Sequence, residues 1–403
     1  MPVDAVMADV PQLAPGGAQH EVVNRATALR STLEQNAETT DRERVLSADT
    51  IAGLRDAGLT RLLAPARHGG LDIDMRDLLD IGIELGRGCC SASWVMGVLS
   101  SGNLVVSLYP ERAQKEVWQH NPDSGAALVL GKPATEVVER TDGVLVSGEW
   151  GYCSGIQHTD WINVLVLAGP QRTPHLALLP LSDLTVKDTW RAIGLCGTGS
   201  NSAVANQVFV PQHRLLPYEP VLTGRVEGIV DPEVRYRSSF TGLFAIALPG
   251  AMIGGAQAAL EAVLEGGARR PVAGSTYSTQ YESPTFQLDV ATASWLLETA
   301  RLVAGQIAHR VDHFAARGEN TDDLTRARNR MDVTEVMRLC RQAIDTLMTA
   351  HGSAAFHEKN VLQRIWRDIN VGSRHAGFGM GIPQQVYGRA LVGQEPRAIS
   401  TLL

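Results

Sequence analysis

A histidine stands beside a glycine-rich break near the end of the chain. In segment 360–389 apolar residues repeat at helical spacing, and Arg364 and Asp368 are four residues apart, close enough to pair. His375 follows Asp368 by seven residues, so a helix that persisted would place both on one side. Glycines from Gly377 onward end the helix. This arrangement suits proton transfer at a pocket; the competing interpretation is a surface histidine at an ordinary helix stop.

A hydroxyl and a bare backbone stand together at the end of a predicted strand, in segment 150–161. Ser154 and Gly155 offer a hydrogen-bond partner and room for close approach, which a planar redox ring needs from the wall of its site. The alternative interpretation is a simple hairpin turn. His158, in the same segment, is expected to be a solvated loop histidine.

A second glycine-rich segment, 190–202, contains the run Gly-Leu-Cys-Gly-Thr-Gly. Strands follow this run where a dinucleotide-binding loop would open a helix, and no βαβ unit surrounds it. We therefore interpret it as a loop of a β domain whose Thr198 and Ser200 contact a ligand. The alternative is a structural glycine turn.

Other reactive residues do not form a recognisable site. His309 and His313 are four residues apart on a predicted helix, but no third ligand lies at a suitable spacing, so no metal site is expected. Cys340 lies on the apolar face of a predicted helix and is expected in the core. Serine hydrolysis lacks support because the chain has no Gly-x-Ser-x-Gly elbow.

The elements that must position these residues follow a simple order. Helical periodicity dominates in 21–121, short alternating runs in 122–220, and long amphipathic helices in 231–403. Residues 1–20 have no basic start or apolar core and are expected to be a disordered lead-in. Strands grouped between two helical blocks predict an α+β fold with an N-terminal helical domain, a middle antiparallel β domain and a C-terminal helix bundle.

Composition limits the classes of partner. The formal charge of −7 arises from 36 basic and 43 acidic residues without a basic stripe, so no nucleic-acid partner is expected. The 5 cysteines fit neither a zinc site nor a disulfide framework, which favours a reduced, cytoplasmic setting. The most apolar run, 243–256, is shorter than the roughly 20 residues needed to span a bilayer, so we expect a buried helix and no membrane.

Taken together, the segments 148–155, 194–211 and 364–368 make the chain resemble the acyl-CoA dehydrogenase superfamily over about residues 22–395. The resemblance implies that the C-terminal bundle has four helices. It also implies a flavin bound between the β domain and the bundle, and assembly as a homotetramer.

The chain departs from the dehydrogenases of that superfamily. No carboxylate stands between Asp368 and Glu395, where many of them hold or neighbour a catalytic glutamate. The segments 362–368, 373–375 and 387–389 instead resemble the oxygenase component of two-component flavin-dependent monooxygenases, the branch of 4-hydroxyphenylacetate and steroid-phenol hydroxylases. The alternatives are an N- or S-oxygenase of the same branch, an acyl-CoA or acyl-carrier dehydrogenase with a relocated base, and a non-catalytic scaffold.

The resemblance assigns roles to named residues. Ser154 matches the serine beside flavin N5, and His375 matches the histidine at the substrate and peroxide side. Arg270 matches an arginine that meets the flavin phosphate. One departure concerns Ser101-Gly102-Asn103, where some phenol hydroxylases carry a histidine that activates the phenol. The flavin-lining positions are Trp94, Leu130, Lys132 and Cys153.

The implied reaction uses reduced flavin (FMNH2 or FADH2) and O2. A C4a-hydroperoxyflavin would transfer one oxygen atom to a small aromatic or polyketide-like molecule, provided that water is excluded from the site. The sequence shows no NAD-binding motif, so a separate reductase is expected to supply the reduced flavin.

Overall fold

The computed structural model describes residues 20–227, 239–379 and 381–403. Within these ranges helices come first, strands follow, and helices return, which confirms the α+β segregation predicted from the sequence. The predicted lead-in lies outside the described residues except for residue 20, and so do residues 231–238 at the predicted start of the C-terminal helices.

The N-terminal helices begin where short polar side chains satisfy free backbone amides. Ser47 Oγ accepts the Thr50 N–H at 3.2 Å, and Asp74 Oδ1 accepts the Asp77 N–H at 2.8 Å. The helices of this part are α1 (His20–Glu43), α2 (Ala48–Asp56), α3 (Met75–Gly88), α4 (Cys90–Ser107) and α5 (Glu111–Trp118).

Helix α4 is the central element, because nearly all of its residues are buried. It packs against α3 on one side and against the first strand on another. Gly102 permits that second contact: a Cβ there would lie 1.7 Å from the carbonyl oxygen of Ala126. A helix that is apolar all round and surrounded by other elements forms the interior of a domain.

The strands form two four-stranded sheets, in the orders β1-β4-β5-β8 and β2-β3-β7-β6. All pairings are antiparallel except one, because β1 runs parallel to β4. Apolar side chains between the sheets, such as Val146 and Val164, form a separate core. The strands are β1 (Ala126–Val129), β2 (Glu136–Arg140), β3 (Gly143–Cys153), β4 (Trp161–Ala168), β5 (Thr173–Pro180), β6 (Thr185–Lys187), β7 (Asn201–Pro211) and β8 (Leu215–Pro217).

The C-terminal helices form a bundle in which α8, α9, α10 and α11 pack side by side. Cys340 is fully buried in it, as predicted. The helices are α6 (Tyr218–Thr223), α7 (Phe240–Ala247), α8 (Pro249–Gly267), α9 (Pro284–Arg317), α10 (Asp323–His351), α11 (Val361–Gly372) and α12 (Ile382–Leu391).

The apolar run predicted as a buried helix is divided between α7 and α8. By length and composition the joined segment Phe240–Gly267 passes as a membrane span, yet 89% of its most apolar window is buried inside the fold. It packs against α3, α4, α10 and α11, which is the environment of a core helix.

Candidate functional site

Ser154 lies on the turn that follows β3, and its hydroxyl belongs to a chain of hydrogen-bonded hydroxyl groups. Ser154 Oγ is 2.7 Å from Ser200 Oγ, and Ser200 Oγ is 2.7 Å from Thr198 Oγ1. The Thr198 hydroxyl donates to the Leu195 carbonyl at 2.8 Å. The backbone repeats the connection, because Gly155 N–H donates to the Thr198 carbonyl at 2.8 Å. The two glycine-containing segments singled out in the sequence, 150–161 and 190–202, are therefore hydrogen-bonded to each other.

The loop at 190–200 is fixed on α11. Leu195 N–H donates to Asp368 Oδ1 at 2.5 Å, and Arg367 donates to the Ile193 carbonyl. Gly194 allows this approach, since a Cβ there would lie 2.2 Å from the carbonyl oxygen of Arg367. Leu195 itself adopts a left-handed backbone with φ 50°, which L residues rarely adopt without support from their surroundings.

Helix α1 binds α11, and the residue after α1 binds the same loop from the other side. Arg44 donates to the Trp190 carbonyl at 2.8 Å, and Asp41 accepts from Arg367 at 2.8 Å. Asp368 therefore makes a different contact from the predicted one. Among the described residues it forms no ion pair with Arg364, and its carboxylate binds the loop instead.

His375 lies three residues beyond α11, because the helix ends at Gly372. The helix therefore does not persist to His375, and a turn presents the imidazole. Gly377 N–H donates to His375 Nδ1 at 3.1 Å. Because Nδ1 accepts, the neutral ring carries its proton on Nε2.

Three aromatic rings surround the imidazole. The centroid of the His375 ring is 5.8 Å from that of Trp94, 5.7 Å from Phe244 and 5.6 Å from Phe378. Phe244 and Phe378 also stack on each other at 5.2 Å. These residues form an aromatic cluster, and flat apolar side chains of this kind commonly line sites for planar organic molecules.

Helix α4 joins the two parts of the site. Trp94 contacts His375, while the next residue, Val95, has its Cγ1 2.9 Å from where a Cβ on Gly155 would lie. Successive helical side chains diverge by about 100°. Ser154-Gly155 and His375 therefore adjoin neighbouring faces of one buried helix.

The electrostatics of the site follow from burial. Desolvation lowers the pKa of His375 to about 4, so the imidazole is neutral at pH 7. Burial raises the pKa of Asp368 to about 7, and the hydrogen bond from Leu195 opposes this shift only in part.

His158 departs from the solvated loop histidine predicted from the sequence. It is half-buried, its Nε2 has no hydrogen-bond partner among the described residues, and burial followed by the charge of Arg55 lowers its pKa to about 4.

The other predicted flavin-lining residues occupy different environments. Leu130 is partly buried against the main core, and Lys132 is exposed. Cys153 is fully buried inside the β core, where its Sγ donates to the Trp150 carbonyl at 3.1 Å. Burial raises the pKa of the Cys153 thiol to about 12, so it stays protonated and offers a ligand only its backbone.

Arg270 is distant from this region of the chain. It donates to His351 Nε2 at 2.6 Å, beyond the end of α8. Met252, near the start of α8, adjoins Trp94 and Gly372. At 1.5 Å per residue, the end of α8 is about 22 Å from Met252. Within one chain, Arg270 therefore does not share a pocket with His375.

The segment Ser101-Gly102-Asn103 has a structural role. The Asn103 side chain donates to the Thr60 carbonyl at 3.1 Å and accepts from Ala126 N–H at 3.2 Å. The Ser101 hydroxyl donates to the Gly97 carbonyl at 2.8 Å. These groups are engaged with backbone and do not activate a substrate hydroxyl.

Sequence reasoning missed Phe244, Phe378, Asp41 and Arg44. The two phenylalanines lie in apolar or glycine-rich stretches that look like ordinary core, so no local signal distinguished them.

The two carboxylates nearest to His375 in the sequence are both engaged away from the imidazole. Asp368 binds the loop, and Glu395 is exposed and accepts from Arg397 N–H at 2.9 Å. The aromatic cluster and the Ser154 hydroxyl fit a flavin, which needs a flat apolar wall and a polar atom at its ring edge.

The comparisons with known proteins agree with this geometry. Residues 19–121 match the acyl-CoA dehydrogenase N-terminal domain, and residues 246–379 match the C-terminal domain of the same family. A relative in Rhizobium sp. (strain MTP-10005), "FADH(2)-dependent resorcinol hydroxylase, oxygenase component", is 30% identical over 97% of this chain and 98% of its own length.

Two solved structures of flavin enzymes are similar over almost the whole chain. The structure of XiaF from Streptomyces sp. in complex with FADH2 and glycerol has a TM-score of 0.87 at 29% identity, covering 94% of this chain and 96% of its own. The HsaA monooxygenase from M. tuberculosis also has a TM-score of 0.87, at 27% identity, covering 94% of this chain and 98% of its own. The chain belongs to the oxygenase components of two-component flavin-dependent monooxygenases, within the acyl-CoA dehydrogenase superfamily.

Proposed function

We propose that this protein adds one oxygen atom from O2 to a small aromatic molecule, using reduced FMN or FAD that a separate reductase supplies. The observation that carries the proposal is the aromatic cluster around His375, joined through α4 to the turn of Ser154. Bound reduced flavin supplies the electrons that activate O2. The residues of this chain bind the ring, exclude water and hold a proton where oxygen is transferred.

His375 is the residue that handles this proton. Its Nδ1 accepts from Gly377, and its pKa is about 4, so a neutral imidazole presents an Nε2–H donor at pH 7. A neutral donor positioned beside an oxygen atom favours protonated oxygen without introducing a buried charge. The same Nε2–H also suits orientation of a substrate hydroxyl.

Ser154 is the proposed contact with N5 at the edge of the flavin ring. It lies in the turn that α4 covers, where the missing side chain of Gly155 lets Val95 pack closely. Trp94 and the other two rings of the aromatic cluster keep water away from the opposite side. Leu130, Lys132 and the backbone of Cys153 remain proposed flavin contacts.

Assembly as a homotetramer accounts for Arg270. The ribityl chain of a flavin is too short to connect Ser154 with an arginine beyond the far end of α8, so we assign Arg270 to a flavin phosphate in another copy of the chain. Helix α9 supplies a contact surface, because Leu288, Trp295 and Leu302 recur every seven residues and are 69%, 63% and 50% exposed. An exposed apolar stripe of this kind marks a protein interface.

We also place the protein in the cytoplasm. All 5 cysteines are free, as is usual for thiols in a reduced compartment. The apolar segment Phe240–Gly267 is mostly buried, so no membrane anchor is proposed.

The decisive experiment combines the protein with a general NADH-dependent flavin reductase, FMN or FAD, and isotopically labelled O2. The panel contains phenols, indoles, aryl amines and thioethers, and products are analysed by mass spectrometry. We expect an aromatic product that carries one labelled oxygen atom. Label on nitrogen or sulfur alone would identify an N- or S-oxygenase. Bleaching of oxidised flavin by an acyl thioester would show a dehydrogenase and overturn the proposal.

A further inference from the structure

The hydroxyl chain behind Ser154 has only one consistent set of donors. The Thr198 hydroxyl donates to the Leu195 carbonyl, which leaves its oxygen as an acceptor. In the 2.7 Å contact with Thr198, Ser200 must then be the donor. A hydroxyl has a single proton, so Ser154 must donate to Ser200 in the next 2.7 Å contact. The lone pairs of Ser154 remain available to a ligand, and its proton does not.

The hydroxyl chain ends at the Leu195 carbonyl, which is fixed in position by other hydrogen bonds. It also accepts from Trp190 Nε1 at 2.9 Å and from Thr198 N–H at 3.2 Å. Its own N–H is held by Asp368 at 2.5 Å. Ser154, Ser200 and Thr198 are all buried, so water does not offer the hydroxyls an alternative set of partners.

We infer that Ser200 and Thr198 are positioning residues that fix Ser154 as a hydrogen-bond acceptor, and that this direction makes the site prefer reduced over oxidised flavin. The inference rests on the proposed function, in which Ser154 meets flavin N5. Reduced flavin carries a hydrogen on N5 and can donate to Ser154. Oxidised flavin has only a lone pair there, which would face the lone pairs of Ser154.

The preference serves an enzyme that receives its flavin from another protein. Reduced flavin is retained until it has reacted, and oxidised flavin leaves the site and returns to the reductase. A serine free to rotate could donate to oxidised N5 and accept from reduced N5, so it would hold both forms equally well. The difference between the two forms therefore depends on residues that do not contact the ring.

The test is anaerobic equilibrium binding of oxidised and photoreduced FMN and FAD, which does not depend on turnover. For wild type we expect oxidised flavin to bind about tenfold more weakly than reduced flavin, the value of one hydrogen bond. In Thr198→Val and Ser200→Ala the ratio falls toward one, mainly because oxidised flavin binds more tightly. Thr198→Ser restores the hydroxyl and keeps the wild-type ratio.

Two features guard against a folding artefact. Thr198→Val preserves the shape of the side chain and leaves the Leu195 carbonyl with two other donors. Ser202→Ala is the matched control. Ser202 lies two residues after Ser200, in β7, and its replacement removes a 2.8 Å hydroxyl contact with Thr189, outside the hydroxyl chain. We expect its ratio to equal that of wild type.

The outcomes separate the inference from the proposed function. Equal weakening of both redox forms in Thr198→Val and Ser200→Ala would show a merely structural role and overturn the inference. The inference would also be overturned if wild type binds reduced flavin and forms product, but the ratio of reduced to oxidised flavin affinity is the same in the two variants as in wild type. Failure of wild type to bind either flavin in either form would refute the proposed function, and the inference with it.

Discussion

The backbone N–H of Leu195 donates a 2.5 Å hydrogen bond to Oδ1 of Asp368, although 173 positions separate the two residues. This contact joins the loop that supports Ser154 to the helix that precedes His375. This buried carboxyl group thereby helps to hold the serine and the histidine relative to each other. Catalytic side chains must be held to within fractions of an ångström, and buried hydrogen bonds of this kind provide that precision.

The buried carboxyl group should make stability depend on pH. Its pKa is about 7 in the folded protein, against 3.8 for a free aspartate. Between these values the folded state binds a proton that the unfolded state lacks, so the free energy of unfolding falls as pH rises from about 4 to about 7. Asp368→Asn keeps an oxygen that accepts from Leu195 but does not ionise. We expect the variant to gain up to a few kcal/mol relative to wild type across this window.

Urea unfolding of both proteins at a series of pH values measures this difference. His375 and His158 have lowered pKa values and act with the opposite sign, since each favours folding increasingly as pH rises from about 4 to about 6.5. Both histidines are present in both proteins, so their contributions cancel in the comparison. Parallel stability curves for wild type and Asp368→Asn would contradict the prediction.

Gly194→Ala should displace the loop from α11. A Cβ at this position would lie 2.2 Å from the Arg367 carbonyl oxygen, and both groups are backbone, so neither can move aside cheaply. We expect a loss of about 2 kcal/mol or more of unfolding free energy, together with weaker binding of reduced flavin. Gly388→Ala is the control, because no atom lies within 4 Å of its added Cβ. Equal melting temperatures for the two variants would show that the close approach is not needed.

Replacement of His375 should separate flavin binding from product formation. His375→Phe keeps an aromatic ring within the cluster and removes the Nε2–H donor, while His375→Ala also removes the ring. For both we expect product formation to fall by about 100-fold or more. Reduced flavin should still bind, and O2 consumption should continue with release of hydrogen peroxide.

Parallel assays of product, O2 and hydrogen peroxide test this separation. Because the pKa of His375 is about 4, its ionisation should not affect the yield of wild type between about pH 6 and pH 9. Unchanged product formation by His375→Phe would exclude a role for Nε2–H, and lost flavin affinity would make the residue a flavin ligand instead.

A charge on the apolar stripe of α9 should disrupt assembly. Trp295 is 63% exposed between Leu288 and Leu302, so Trp295→Glu places a carboxylate where the proposed interface is dry. We expect sedimentation to show smaller particles and flavin binding to weaken, since Arg270 would lose its partner chain. Ala316→Glu adds the same charge to the exposed C-terminal end of α9 and should leave the assembly intact. A wild-type protein that sediments as a monomer would refute the tetramer.

The two glycine-containing segments show how far local sequence signals reach. A serine and a glycine at a strand end, and a hydroxyl-bearing loop without a following helix, identified Ser154, Thr198 and Ser200 as candidates. Which of these hydroxyls donates to which could not be predicted, because it depends on Leu195. That residue has a left-handed backbone, and its amide is held by a carboxyl group of α11, 173 positions away.

Predictions around α11 were less accurate for a related reason. Spacing places Arg364 close enough to pair with Asp368, and it places His375 on the side of Asp368 if the helix persists. In the structure the carboxylate binds a loop from the β region, and the helix ends at Gly372. Helical spacing states which side chains are neighbours if a helix forms, and carries no information about a competing partner from elsewhere in the chain.

The sequence by itself determined the order of helices, strands and helices, the long core helices and the larger strands, because hydrophobic periodicity is a local property that burial selects. Hydrophobic periodicity did not reveal the small strands β1, β2, β6 and β8, because segments of 3–5 residues contain too few repeats to show a period. Only the tertiary structure decided that Phe244 and Phe378 surround His375, and that a hydroxyl chain orients Ser154. Those relationships join residues far apart in the chain, and they exist only once the β region and the bundle pack against α4.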